Sequence, residues 1–446
     1  MKTETLVCPN CSAEYTHWLG QCTRCKYWFE DQPTSNKQTT LPKKLKDITT
    51  SQVDRYITNW EQIDRVMGGG IVKDSLTLIA GSPGIGKSTL LLQLSDVFSA
   101  LGKTVLYVSA EESLDQVKLR AKRLGVNQEN IYLSNEERLS EITKHVDHIK
   151  PDLLVLDSAQ LIYDDRIKAV RGGPTQVKSV AQECMVFAKQ KKIATILIGH
   201  ITKDGDIAGP RLLEHLVDTV IEFEGDRKLG IRLLRSIKNR FGAADEVALF
   251  EMKEKGLKPI ENPSQFFVEN HDPNLYGISV TPTIEGRRSF LVEAQILTAK
   301  SAFPNPTRKF SCIDANRMHM LLAVLDQKYG YAIHGQDVYA SLVGGIKITE
   351  PAIDLALLIA AASAYRGKPV SSGLVSIGEV GLSGEVRPVS FCQTRVKEAI
   401  RMGIKRIILP IKNYKDLPDK TKEKAQFHPV QEVGSALDLS VPRSSM

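Results

Sequence analysis

Residues 81–89 read GSPGIGKST, the full phosphate-loop pattern, and the segments on either side of it constrain the chain more than any other feature. The apolar run SLTLIA (75–80) comes immediately before it, and the helix-compatible TLLLQLSDVF (89–98) closes it. Strand, glycine-rich loop and helix in this order are the context in which the motif cradles phosphate. Gly81, Gly84 and Gly86 let successive amide groups converge on the phosphates, and the helix N-terminus adds a favourable dipole. Ser82, Pro83, Ile85 and Thr89 complete the expected nucleotide-binding run. Lys87 is placed to reach the β and γ phosphates and the Ser88 hydroxyl to bind Mg2+. The motif therefore implies ATP and Mg2+ as cofactors.

From about Ser51 to Lys258, short runs rich in Val, Ile and Leu alternate with amphipathic stretches, the pattern of a buried parallel sheet with crossover helices in an α/β fold. TVLYVS, LLVLDS and IATILIG are the further candidate strands. LLVLDS puts Asp157 at a strand end, where it either assists the Mg2+ shell through water or caps the next helix. TVLYVS runs into Ala110, Glu111 and Glu112, at the sheet edge where ligands of open α/β sheets gather. Glu111 is the candidate for orienting the attacking water; Glu112 is either the alternative or part of the first turn of the next helix. His200 ends IATILIG, either as a γ-phosphate sensor or as a structural residue.

Four of the seven cysteines fall within the first 25 residues, as CPNC (Cys8, Cys11) and CTRC (Cys22, Cys25). Each two-residue gap lets a tight turn aim two thiolates at one ion, and four thiolates close a tetrahedral Zn2+ shell. His17, between the knuckles, is expected to be a surface residue, and Cys184, Cys312 and Cys392 to be small core residues. A hydrophobic fraction of 42% with 25% charged residues excludes wholesale disorder. The longest apolar stretch, Leu355 to Ala362, is far short of the roughly 20 residues of a bilayer span, and no apolar signal segment follows Lys2. The expectation is a cytoplasmic protein without membrane contact. The formal net charge of +7 favours nucleic-acid contact without establishing it.

The phosphate loop, YVSAEES (107–113), LLVLDS (153–158), GHITKDG (199–205) and KNRFG (238–242), in this order behind a four-cysteine finger, resemble the RadA (Sms) family of bacterial DNA-repair proteins over essentially the whole length. Polar, lysine-rich and proline-punctuated residues read as a linker at 31–50, and the Asn, Pro and Asp turn formers between Glu261 and Pro273 mark a second linker at 263–275. The resemblance implies a zinc finger at 1–30, a RecA-like ATPase domain at 51–262 with a mostly parallel sheet, and a Lon-protease-like α/β domain at 276–446. It further implies a homo-hexameric ring on single-stranded and branched DNA, with helicase and branch-migration activity and RecA as a recombinase partner. Lys87, Ser88, Glu111 and Asp157 then belong to the ATP site of one subunit, and Lys238 and Arg240 are offered by its neighbour. Without the resemblance, Arg232, Arg235, Lys238 and Arg240 read as a solvated strand face.

In RecA-like proteins two loops line the DNA channel. The matching loops here carry Arg166, Lys168, Arg171 and Lys178 around Gly172 and Gly173, and Lys203 and Arg211 within TKDGDIAGPR. Their only neighbouring aromatic is Tyr163, so contact with backbone phosphates is expected to dominate. In the Lon-like region, matching TEPAID (349–354) to the nucleophile motif puts Ala352 at the serine position, and matching RPVSFCQ (387–393) to the base motif puts Gln393 at the lysine position. Alanine offers no nucleophile and glutamine takes no proton at neutral pH; Ser363, Ser390 and Lys397 stand at the wrong offsets. Two other function classes compete with a DNA motor: an ATP-dependent Lon-like protease, which the missing dyad disfavours, and a RecA-like signalling ATPase acting through protein partners.

Overall fold

The computed structural model describes residues 6–15, 21–27, 44, 54–200, 213–225, 230–268, 272–345 and 347–441. The chain divides into two compact units, Met1–Gln52 and Val53–Met446. In the first, the two-residue strands Leu6–Val7 and Glu14–Tyr15 pair antiparallel.

The second unit holds two large sheets. Among the described residues, nine strands form the first: β1 (Leu76–Gly81), β2 (Val105–Ser109), β3 (Ile131–Ser134), β4 (Leu153–Asp157), β5 (Ala194–His200), β6 (Thr219–Glu224), β7 (Ile231–Asn239), β8 (Val247–Lys253) and β9 (Gly256–Pro259). Their order is β9-β8-β7-β6-β1-β5-β4-β2-β3. The six strands from β6 to β3 are parallel, and β7, β8 and β9 extend the sheet antiparallel. Every residue of β1 and β4 is buried because helices cover both faces, so these strands read as unbroken apolar runs rather than alternating ones.

Helices α1 (Glu61–Val66), α2 (Lys87–Ala100), α3 (Leu114–Leu124), α4 (Leu139–Ile149) and α5 (Pro174–Lys191) flank this sheet. On one face Leu90, Leu91 and Phe98 of α2 join Ile79, Tyr107, Val155 and Phe223 in an apolar cluster. On the other, Ile142 and Val146 of α4 and Val177, Val180 and Cys184 of α5 join Leu78, Val108 and Leu156.

The second sheet is built from β10 (Ile278–Glu285), β11 (Arg288–Lys300), β12 (Arg308–Ser311), β13 (Gln336–Leu342), β14 (Leu374–Ser376), β15 (Arg406–Pro410) and β16 (Gln426–Val430), in the order β12-β13-β11-β10-β14-β15-β16. Helix α6 is Pro263–Val268, α7 Ala315–Tyr329, α8 Asp354–Arg366 and α9 Cys392–Arg401. Helices α7 and α8 supply Leu321, Leu325, Leu355 and Leu358 to a core that also takes in Ile231, Leu233, Val247 and Leu249 of the first sheet, so one apolar core is continuous across both sheets.

That continuity departs from the linker expected at 263–275. Residues 263–268 are helical: the Asn262 side chain accepts from the Gln265 amide at 3.3 Å, and Pro263 suits a first turn, where no amide donor is needed. Phe267 is buried with its ring 5.5 Å from that of Phe290, and the Leu291 amide donates to the Ser264 hydroxyl at 3.0 Å. The Asn, Pro and Asp residues read as turn formers do make a turn further on, where the Asn274 amide donates to Asp272 at 2.9 Å. Cys184 and Cys392 are buried as expected, whereas Cys312 is half-buried at the end of β12 with φ +65°, so it is not a core residue.

A candidate nucleotide site and a candidate metal centre

The phosphate loop joins β1 to α2 at the C-terminal edge of the parallel strands. Gly81 lies opposite Phe223 in the β1–β6 pairing, and a Cβ there would stand 2.4 Å from the Phe223 carbonyl oxygen, so only glycine lets the two strands approach. Gly86 caps α2 with φ +118°, a conformation open to glycine. Ser82, Pro83 and Gly84 are exposed, Ile85 is buried, and Ser88 and Thr89 are half-buried in the first turn of α2.

Lys87 is 4% exposed, and its ammonium donates to the carbonyls of Gly81 at 2.7 Å and Ser82 at 3.1 Å, folding the lysine back over its own loop. Burial pushes this ammonium down to about 8, against the pull of the Asp157 and Glu111 carboxylates. Those two carboxylates are therefore its electrostatic neighbours. Glu112 instead forms an ion pair with Arg120 and lies half-buried, while Glu111 is exposed at the end of β2. This geometry favours Glu111 over Glu112 at the nucleotide edge.

Asp157 ends β4 and is buried; its Oδ2 accepts from the Tyr107 hydroxyl at 2.8 Å, and its Oδ1 is buried with no hydrogen-bond partner. A bare buried carboxylate oxygen is costly, and a water of a Mg2+ shell held by Ser88 and phosphate would satisfy it. The residues present thus fit Mg2+ and a polyphosphate. His200 ends β5, and its side chain lies outside the described residues.

Two residues of this site were not assigned to it from the sequence. Tyr107 is one. The other is Arg232, expected on a solvated strand face but only 4% exposed: its Nε donates to the Ile85 carbonyl of the phosphate loop at 2.8 Å. Arg235, on the opposite face of β7, pairs with Glu285 of the second sheet at 2.6 Å, so it too is not solvated.

Lys238 and Arg240 lie at the other end of β7. In the β6–β7 pairing Leu233 meets Glu224 beside the phosphate loop, and Asn239 meets Thr219 at the opposite sheet edge. At 3.3 Å per residue, that strand carries the KNRFG segment about 20 Å from its own phosphate loop. The Lys238 ammonium donates to the carbonyls of Glu214 at 2.6 Å and Val217 at 3.0 Å. Arg240 is 55% exposed and 3.4 Å from Asp218.

The basic residues expected on the DNA loops differ in how they are held. Lys168 and Lys178 are exposed. Arg166 forks onto the buried Asp164 at 2.8 and 2.9 Å and also reaches Glu183 at 3.2 Å. Beside that guanidinium the Asp164 carboxyl is held down at about 2, which marks a structural pair rather than a mobile contact. Arg171 lies 3.7 Å over the Tyr163 ring and 3.6 Å from Glu137. Lys203 and Arg211 lie outside the described residues, as does His17.

In the first unit the four cysteines converge. Their sulfurs all lie within 4.8 Å of one another, with Cys8–Cys25 and Cys11–Cys22 each at 3.6 Å. A tetrahedron with Zn–S bonds of 2.3 Å has edges of about 3.8 Å, and disulfides would need about 2.05 Å. The two knuckles repeat one backbone design: the Cys8 and Cys22 amides donate to the Ala13 and Tyr27 carbonyls at 2.9 and 2.7 Å, and Ser12 and Lys26 both take positive φ. The Tyr15 hydroxyl, 3.1 Å from Cys22 Sγ, leads the influences that lower that thiol to about 6, nearer the thiolate a metal requires. These four sulfurs fit zinc.

In the second sheet's half, Ala352 is buried in a single 3-10 turn (Pro351–Ile353) ahead of α8, and Gln393 is exposed in the first turn of α9. Arg395, 2% exposed, bridges the two segments by pairing with Glu350 through two hydrogen bonds, one of 2.8 Å. Ser363 is taken up structurally: its hydroxyl accepts from the Gly277 amide at 2.8 Å and donates to the Lys368 carbonyl. Ser390 and Lys397 are exposed.

A family model described as an AAA domain matches residues 40–206, and one described as the Lon protease (S16) C-terminal proteolytic domain matches residues 337–443. The chain is 43% identical over 422 residues to the DNA repair protein RadA of Bacillus subtilis (strain 168), covering 91% of this chain and 92% of that one. It is 40% identical to the RadA of Listeria monocytogenes serovar 1/2a over 99% of both chains, and 40% identical to that of Chlamydia trachomatis serovar D over 97% of both. No helix among the described residues is long and apolar enough to cross a membrane. With an ATPase-type sheet, a four-cysteine cluster and a Lon-type domain in one chain that aligns from end to end with such relatives, the protein belongs to the RadA family of DNA repair proteins.

Proposed function

We propose that the chain is an ATP-hydrolysing motor that moves along single-stranded and branched DNA as a homo-hexameric ring, driving branch migration of recombination intermediates alongside a RecA-type recombinase. The observation that carries this reading is the separation along β7: Lys238 and Arg240 stand about 20 Å from the phosphate loop of their own chain. Phosphoryl transfer needs cation density on the γ-phosphate, and a guanidinium so placed can supply it only to another copy. Lys87 holds the phosphates, Ser88 and Asp157 serve the Mg2+ shell, and Glu111 orients the attacking water. Mg2+ supplies charge neutralisation between the β and γ phosphates when bound.

Exposed Lys168 and Lys178, with Arg171 on its Tyr163 platform, are the described DNA contacts of this proposal, joined by Lys203 and Arg211; Arg166 is reassigned to the fold. The C-terminal half serves as a scaffold and not as a protease, because Ala352 and Gln393 replace the reacting pair and the Glu350–Arg395 bridge ties the two motif segments together. The cysteine quartet binds one zinc per chain. ATP hydrolysis with and without single-stranded DNA, combined with branch-migration assays on forked and three-stranded substrates, tests the reading. A motor hydrolyses faster with DNA and moves the branch only with ATP; DNA-independent hydrolysis with immobile branches would favour a signalling ATPase.

A further inference from the structure

Tyr107 sits in β2 with Ser109, Asp157's register partner, two residues further on. Residues two apart on a strand share a face, so Tyr107 and Asp157 project from the same face of neighbouring strands, the face covered by α2. The ring belongs to the apolar cluster that includes Leu90, Leu91 and Val155, and the side chain is 1% exposed. A phenylalanine would fill that space equally well. The one atom a tyrosine adds is the hydroxyl, which a buried site tolerates only with a partner, and here it donates to Asp157 Oδ2 at 2.8 Å.

That hydrogen bond does more than satisfy the phenol. It fixes the rotation of the carboxylate about its last bond, so one oxygen is engaged by protein and the other, Oδ1, stays buried and bare. Groups one step behind a metal site commonly act in this way, orienting a ligand and setting its affinity. We infer that Tyr107 is a positioning residue for the magnesium half of the nucleotide site, holding Asp157 so that Oδ1 faces the water shell of the Mg2+·nucleotide complex. The inference rests on the proposed reading of residues 81–89 and Asp157 as that site.

The test uses full-length protein and binding rather than turnover. Fluorescent ADP is titrated onto wild type, Tyr107→Phe, Asp157→Asn and the double variant, in Mg2+-free buffer and across a Mg2+ series. For Tyr107→Phe the Mg2+ concentration at half-maximal tightening should rise on the order of tenfold, while ADP affinity without Mg2+ stays at the wild-type value. Because the tyrosine acts through the aspartate, adding Tyr107→Phe to Asp157→Asn should produce no further shift. An unmoved Mg2+ midpoint, with or without a lower melting temperature, overturns the inference and leaves Tyr107 a packing residue. Equal weakening with and without Mg2+ overturns it too, since the effect would then be on the nucleotide pocket as a whole. If Lys87→Ala leaves ADP binding intact and Asp157→Asn leaves the Mg2+ midpoint unmoved, the reading of the site falls first and the inference with it.

Discussion

At the edge of the first sheet, Lys87 is held by two backbone carbonyls and Asp157 keeps one buried oxygen without a partner. In the C-terminal half, a buried cation meets a half-buried carboxylate with a different outcome. Glu350 accepts from Thr283 at 2.6 Å, from the Ile284 amide at 2.9 Å and from Arg395 twice, while Arg395 also donates to the carbonyls of Pro282 at 2.9 Å and Ser390 at 3.1 Å. Asp354 is likewise engaged, by Arg317 and by the Val380 amide at 3.0 Å. One site keeps charge in reserve for a ligand; the other has turned its charge into cross-links. A matching domain model therefore says less about chemistry than the hydrogen-bond capacity left at the site does.

The largest effect should fall on the first region. Lys87→Ala abolishes hydrolysis by removing the cation nearest the transferred phosphoryl group, and Arg240→Ala lowers it by a factor on the order of a thousand while ADP still binds. Steady-state ATPase and ADP-binding titrations read both; hydrolysis near the wild-type rate in either variant would erase the contrast between the regions. In the second region the expected effect is on stability. Arg395→Met takes the guanidinium from a half-buried carboxylate and should cost about 1–3 kcal/mol in urea unfolding, and adding Glu350→Gln should recover part of that loss. ADP affinity of the folded protein should be unchanged.

A smaller effect is pH-dependent. The Lys87 ammonium sits at about 8 rather than its ordinary 10.5, so in the nucleotide-free protein it loses its proton above about pH 8. A polyphosphate binds the protonated form. ADP affinity should accordingly fall above pH 8, by up to about tenfold per pH unit, with uptake of one proton. Stability runs the other way: charging a lysine whose folded value is depressed opposes folding, and that penalty, present below pH 8, fades as pH rises toward 10.5. Lys87→Ala should flatten both slopes in parallel calorimetric and unfolding series. The smallest effect belongs to Lys397→Ala: the side chain is exposed, so unfolding should move by no more than about 0.5 kcal/mol, with ATPase unchanged.

The local features of the fold were legible in the chain. The phosphate loop is contiguous, its flanking strand and helix are apolar runs of the right lengths, and β1, β2, β4 and β5 begin and end within a residue of the runs read for them. The cysteine knuckles are equally local. Two residues that escaped depend on partners far apart in sequence: Tyr107 meets Asp157 across 50 residues and Arg232 meets Ile85 across 147. Nothing in IRLLRSIKN separates an arginine that is buried against a carbonyl from one that faces water. Helix α6 was masked because Asn262 and Pro263, read as turn formers, serve as a helix start. Arg166 could not be told from a free loop cation without its buried partner Asp164.

The claim that joins these observations is that the nucleotide site is completed by Arg240 of another copy. The direct measurement is DNA-stimulated ATP hydrolysis by covalently linked dimers of an Arg240→Ala chain and a Lys87→Ala chain, compared with each variant alone. One kind of interface in such a dimer pairs the intact phosphate loop of the first chain with the intact Arg240 of the second. The account predicts that hydrolysis returns in the linked dimer although each variant alone is inactive. Linked dimers that assemble and bind ADP yet hydrolyse no faster than the variants alone would contradict it.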